Sequence, residues 1–191
     1  MPEAGGSVDR QFGELSVPVL IAMAGLPGAG KSTIAEILGA RLGAPIVSVD
    51  PIESAILSAG IEADQPTGLA AYLVAETMAE QVLVSGRTVI VDAVNAVQPA
   101  RLQWRDLALR AEVELRVIEV VCSDQELHKS RLERRFRNLP HFAEISWHAV
   151  EQRVEEYDEW EGEVALLPRV TVDTVRSLGE NVDSALAFLE I

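Results

Sequence analysis

The chain has 191 residues, 48% of them apolar, which is enough to bury one α/β core unaided. Its 16 basic and 30 acidic residues leave a net charge of −14, which argues against a bulk nucleic-acid binder, because phosphate contacts need Lys and Arg. No apolar run reaches the ~18 residues of a membrane span, no basic-then-apolar leader opens the chain, and Cys122 stands alone, so the expectation is a cytoplasmic protein with neither an internal disulfide nor a cysteine-rich metal site.

In chain order, residues 1–16 lack periodicity and read as a loose tail, leaving 17–191 as a single domain. Pro18–Ala24 is a continuous apolar run, expected for a strand buried on both faces. A Gly/Pro loop follows, and Lys31–Leu42 then has apolar residues at helical spacing, stopped by Gly43. Pro45–Val49 is a second strand and Pro51–Ala59 a short helix with proline at its start. Leu69–Ser85 is a longer helix ended by Gly86, and Thr88–Val91 a third strand. Pro99–Ala111 is helical, and Glu114–Val121 is a fourth strand. Asp124 caps a strongly charged helix that Asn138 and Pro140 break. Ser146–Trp160 is a polar helix, Arg169–Asp173 a fifth strand and Leu178–Ile191 a closing helix. Alternating strands and helices predict a parallel sheet covered on both faces, with right-handed crossovers.

The strongest chemical signal is Gly25-Leu26-Pro27-Gly28-Ala29-Gly30-Lys31-Ser32, which matches G-x-x-x-x-G-K-[ST] between a buried strand and an amphipathic helix. Such a loop cradles nucleotide phosphates with backbone N–H groups at a helix N-terminus. Gly25, Pro27, Gly28, Ala29, Gly30, Lys31, Ser32 and Thr33 are therefore the expected ATP-binding residues. Lys31 should reach the β- and γ-phosphates, and Ser32 should ligate Mg²⁺. The fourth strand runs into Val121-Cys122-Ser123-Asp124 without the N-K-x-D signature of a GTPase.

Asp50 follows the second strand, where an acid can take a proton from an attacking hydroxyl, or simply cap the next helix. Asp92 ends the run Val89-Ile90-Val91 and is placed to hold Mg²⁺ with Ser32. Asn95 follows in a loop, as a substrate contact or a turn residue. Ten of the sixteen basic residues lie between Arg101 and Arg153. Arg131 and Arg135 sit four apart on the charged helix and so share a face, as a lid over phosphates at roughly 124–145, or as a solvated salt-bridged face. His128, His141 and His148 lack metal-ligand spacing and read as surface or loop residues; Trp104, Trp147, Tyr157 and Trp160 read as packing.

With the P-loop, Val47-Ser48-Val49-Asp50, Val89–Asn95 and Arg131–Arg135 in this order, the chain resembles the small P-loop kinases of the AAA_33-like group. That group is similar to the 5′-kinase domain of polynucleotide kinases, chloramphenicol phosphotransferase and zeta toxins. The resemblance implies a nucleoside-monophosphate-kinase-like sheet of order 2-3-1-4-5. It also implies that Asp50 contacts or deprotonates the acceptor and that Arg131 and Arg135 clamp the transferred phosphate. Residues 144–163 depart from the pattern with eight acids and one base, Arg153, which suits a neutral or cationic small acceptor better than a polynucleotide. The expected activity is transfer of the γ-phosphoryl of ATP to a small-molecule hydroxyl. The alternatives are a polynucleotide 5′-hydroxyl kinase, or an ATP-binding switch without transfer. The residues that read the acceptor are expected in 52–67, near Asn95 and in the lid; no pattern bears on oligomeric state.

Overall fold

The computed structural model describes residues 17–135, 138–142 and 144–190. The expected tail, Phe136, Arg137 and the last residue of the closing helix lie outside them. Strands β1 (Val19–Ala24), β2 (Ile46–Ser48), β3 (Val89–Asp92), β4 (Glu114–Val121) and β5 (Arg169–Asp173) form one parallel sheet, in order β2-β3-β1-β4-β5. The helices are α1 (Lys31–Leu42), α2 (Val49–Ser58), α3 (Thr67–Val84), α4 (Gln98–Arg110), α5 (Gln125–Arg134), α6 (Trp147–Glu155) and α7 (Leu178–Phe188). A 3₁₀ turn at Gly162–Leu166, which periodicity did not suggest, precedes β5.

Successive strand residues point to opposite faces. Leu20, Ala22 and Ala24 join Val89, Val91 and Val117 on one face, against Ala71, Ala75 and Ala79 of α3 and Trp104 and Leu107 of α4. Alanine at every fourth position lets α3 lie close on the sheet. Ile21 and Met23 join Ile90, Ile118 and Val120 on the other face, under Ile34 and Leu38 of α1 and Val182 and Ala185 of α7. Burial on both faces explains why the strands read as apolar runs. The chain steps from β1 out to β2, returns at β3 beside β1, and crosses to β4 on the other side. The order therefore reverses at β1, and ligand crevices form at the carboxyl ends of strands at such a point.

Two helices differ from expectation. α5 stops at Arg134: Arg135 takes an extended backbone (φ −72°, ψ 126°), and its N–H closes a tight turn on Leu132 O at 3.2 Å. Arg131 and Arg135 therefore do not share a helical face. α6 stops at Glu155, because the residues beyond it are held by the sheet and by α4. Tyr157 and Trp160 both donate to the buried Glu119 of β4, at 3.1 and 2.6 Å, and Arg169 and Thr171 of β5 donate to its other oxygen. The buried guanidinium of Arg101 lies 3.9 Å over the Trp160 ring and 4.9 Å over that of Tyr157. Burial, then the Glu119 charge, pushes the Tyr157 phenol up, so it remains a donor.

Candidate active site

The P-loop emerges from β1 at Gly25. Gly25 has φ 129°, and a Cβ there would lie 2.1 Å from Val120 O, so only glycine fits. Its N–H donates to Val94 O at 3.0 Å, tying the loop to the segment after β3. The carbonyls of Pro27 and Ala29 are held by His128 Nε2 at 2.8 Å and the Thr174 hydroxyl at 2.9 Å. In a trans peptide the next N–H points the opposite way, so Gly28 and Gly30 turn theirs away from these anchors. Lys31 at the start of α1 donates to Leu26 O at 3.0 Å across the loop.

His128 and Thr174 are contacts that sequence reasoning missed. His128 was expected at the surface or in a loop; it lies in α5, is buried, donates its Nε2–H to Pro27 O and meets the Trp147 ring edge-on at 5.3 Å. A Cβ on Gly28 would lie 3.1 Å from Leu132 and 3.3 Å from His128, so α5 packs directly on the loop. Thr174, just past β5, accepts from Arg131 at its hydroxyl (2.8 Å) and its carbonyl (2.9 Å). Arg131 is thereby fixed beside the loop.

Ser32 and Asp92 come together as expected: the hydroxyl donates to Oδ2 at 2.7 Å. These hard oxygen donors at the P-loop fit Mg²⁺. No cluster of three or more acid, histidine or cysteine side chains offers another metal site among the described residues. Asp50 lies in the first turn of α2, with Ser48 at the cap position, so the capping role considered for it falls away. Asn95 is structural. It is buried with φ 49°, its amide donates to Met23 O at 2.6 Å, and its carbonyl accepts from Trp104 at 2.8 Å. Arg101 bonds the carbonyls of Asn95, Ala96 and Glu159, and so fixes the segment that leaves Asp92.

Two clefts open on these residues. The first, ≈ 380 Å³, is lined by Gly28, Gly30, Arg131, Thr174, Arg176 and Asn181, among others. The second, ≈ 1150 Å³, is lined by Asp50, Glu53, Tyr72, Asp92, Gln103 and Phe142, among others. Lys31, Ser32 and Arg135 line both.

The AAA-domain family model AAA_33 matches residues 20–159, well over half the chain. The chain belongs to this family. Curated protein sequences offer no significant match. Among solved structures it is similar to a gluconokinase from Sinorhizobium meliloti, at 21% identity and a TM-score of 0.65, over 91% of this chain and 93% of that one. It is also similar to the Mycobacterium tuberculosis APS kinase CysC, solved with AMPPNP and APS, at 17% identity and TM-score 0.63 over 92% and 99% of the two chains. Chaetomium thermophilum Kti12, solved with ADP-AlF3, shows 21% identity and TM-score 0.64 over 88% and 97%. These likenesses, with the sheet order, show a P-loop fold of the nucleoside-monophosphate-kinase type, so this AAA_33 member has the expected architecture. No helix is long and apolar enough to cross a membrane among the described residues.

Proposed function

We propose that this AAA_33 member transfers the γ-phosphoryl of ATP to a hydroxyl of a small molecule. The observation that carries the reading is the meeting of two clefts at Lys31, Ser32 and Arg135, with Asp50 lining only the second. A direct phosphoryl transfer needs this layout: donor phosphates on one side, an acceptor on the other, and cations at the junction. The likeness to a gluconokinase and to an APS kinase solved with AMPPNP, and to Kti12 solved with ADP-AlF3, supports it.

In this reading the P-loop amides and Lys31 hold the β- and γ-phosphates. Ser32 and Asp92 would hold Mg²⁺, which supplies charge neutralisation at the phosphates. Arg131, fixed on Thr174, lies along the nucleotide, while Arg135 faces the group in flight. Asp50 accepts the proton of the acceptor hydroxyl. The acceptor oxygen bonds to the γ-phosphorus, the bond from that phosphorus to the bridging oxygen breaks, and ADP leaves with the electron pair. The lid expected at roughly 124–145, part of which lies outside the described residues, would exclude water, whose attack is the competing reaction.

The test is Mg²⁺-dependent ADP release from ATP across hydroxylated acceptors, comprising nucleosides, 5′-hydroxyl oligonucleotides, sugars, sugar acids and antibiotics. The expected result is stimulation by a small molecule, abolished in Lys31→Ala. Tight ATP binding with no stimulation by any acceptor would contradict the reading and favour a switch. Stimulation by the oligonucleotides alone would move the acceptor to nucleic acid.

A further inference from the structure

The cleft that holds Asp50 presents a second carboxylate from the same helix. Glu53 lies three residues after Asp50 on α2, so the two are helical neighbours, and both line the cleft. Glu53 is half-buried, and its Oε1 accepts a 2.8 Å hydrogen bond from the buried hydroxyl of Thr67, which fixes the carboxylate from the start of α3. Among the described residues no lysine or arginine pairs with it. A partly desolvated acid without a cationic partner, facing a cleft, is set to bind a cation.

The rest of the lining agrees. Apart from Lys31 and Arg135 at the junction, the described lining adds one arginine, Arg153, and four glutamates, of which Glu36, Glu144 and Glu156 are exposed like Arg153 and Glu53 is half-buried. Outside the junction the described lining is acidic on balance, which disfavours an anionic acceptor. Tyr72, from α3, lines the same cleft. Its oxygen accepts the Asn95 N–H at 3.1 Å, and no acceptor takes its own proton among the described residues. Burial pushes this phenol up to about 12, with the charges of Asp50, Asp92 and Glu53 adding to the shift, which sets the hydroxyl among the three acids as a permanent donor.

We propose that the acceptor is an amino alcohol, its ammonium held by Glu53 and one of its oxygens by the Tyr72 hydroxyl, so that a further hydroxyl faces Asp50. This rests on the kinase reading above and names its substrate class. The amine stays protonated and does not react; the only bonds changed are those at the γ-phosphorus and the acceptor O–H.

The experiment compares matched acceptors with MgATP: glucosamine against N-acetylglucosamine, kanamycin against its N-acetylated form, and gluconate as the anion. The expected result is a kcat/KM for the free amines about tenfold or more above that of their acetylated partners, the size of one charged hydrogen bond. Glu53→Gln should collapse that ratio towards one, chiefly through KM, and Glu53→Asp should restore part of it. An acid that only steadies the start of α3 would lower the Tm and leave the ratio unchanged, which would overturn the proposal. So would a preference for gluconate or the acetylated forms, with the kinase reading intact. Failure of every acceptor, charged or neutral, would overturn both.

Discussion

At the scale of single residues, the proposed function gives the two candidate arginines different jobs because they line different space. Arg131 is committed to Thr174 and lines only the nucleotide cleft, while Arg135, beyond the end of α5, lines both. Arg135→Ala should therefore lower single-turnover transfer by roughly 10²–10³-fold, the usual effect of removing one donor to developing charge. It should leave ATP affinity within a few-fold. Arg131→Ala should instead weaken ATP binding, since it also loosens the Thr174 hydroxyl that anchors Ala29. Equilibrium binding and rapid-quench transfer, run on both variants, separate the two roles; identical effects would contradict the assignment. The placement of the P-loop, Asp50 and Asp92 was legible in the sequence because it is local: a spacing, or an acid at a strand end. His128 and Thr174 were not. Their partners Pro27 and Ala29 lie 101 and 145 residues away, and no short-range pattern encodes such a contact.

Among elements, the turn between β5 and α7 forms one wall of the nucleotide cleft and depends on a few hydrogen bonds. Asp173 accepts from the backbone of Ser123 and of Val175, each at 3.1 Å. The Ser123 hydroxyl is the largest cause, and together with the two backbone bonds and the Arg131 charge it holds this carboxyl below its ordinary 3.8. A carboxyl lowered on folding stabilises the native state above its ordinary pKa, and that contribution fades as pH falls through the lowered value. The urea-midpoint difference between wild type and Asp173→Asn should thus be constant above about pH 5 and shrink below 3.8. Solvent exposure keeps the difference small. A difference that grew in acid would contradict the assignment. Strand positions were readable because both faces are buried, whereas helix ends were less so. The stop signals Asn138 and Pro140 lie beyond the real end of α5, and α6 ends early because Glu119 and Arg101 capture Tyr157 and Trp160.

For the molecule as a whole, the buried network around Glu119 and Arg101 links β4, β5, α4 and the segment after β3. It gives the Asp92 side of the site a rigid frame. The P-loop side is held in addition by α5 through His128 and by Thr174, and the Gly25–Val94 bond joins the two frames. The clefts meet where the two frames adjoin, so nucleotide binding and acceptor chemistry should be separable by mutation. The parallel sheet covered on both faces follows from the alternation of strands and helices, its order 2-3-1-4-5 was implied by the family resemblance, and the clefts lie at the strand ends where a switch at β1 places them. The acidic character of the acceptor cleft needed the structure, because Glu36, Glu53, Glu144 and Glu156 come from four places in the chain.

The measurement that bears most directly on this account is the Asp50→Asn variant, followed by ATP affinity and by acceptor-dependent ADP release. Because Asp50 lines the second cleft and not the first, the proposed function predicts an ATP Kd close to that of wild type. It also predicts a loss of transfer of roughly 10²–10⁴-fold, the usual contribution of a general base. Retention of full transfer would contradict the role given to Asp50, and a matching loss of ATP binding would contradict the separation of the two clefts.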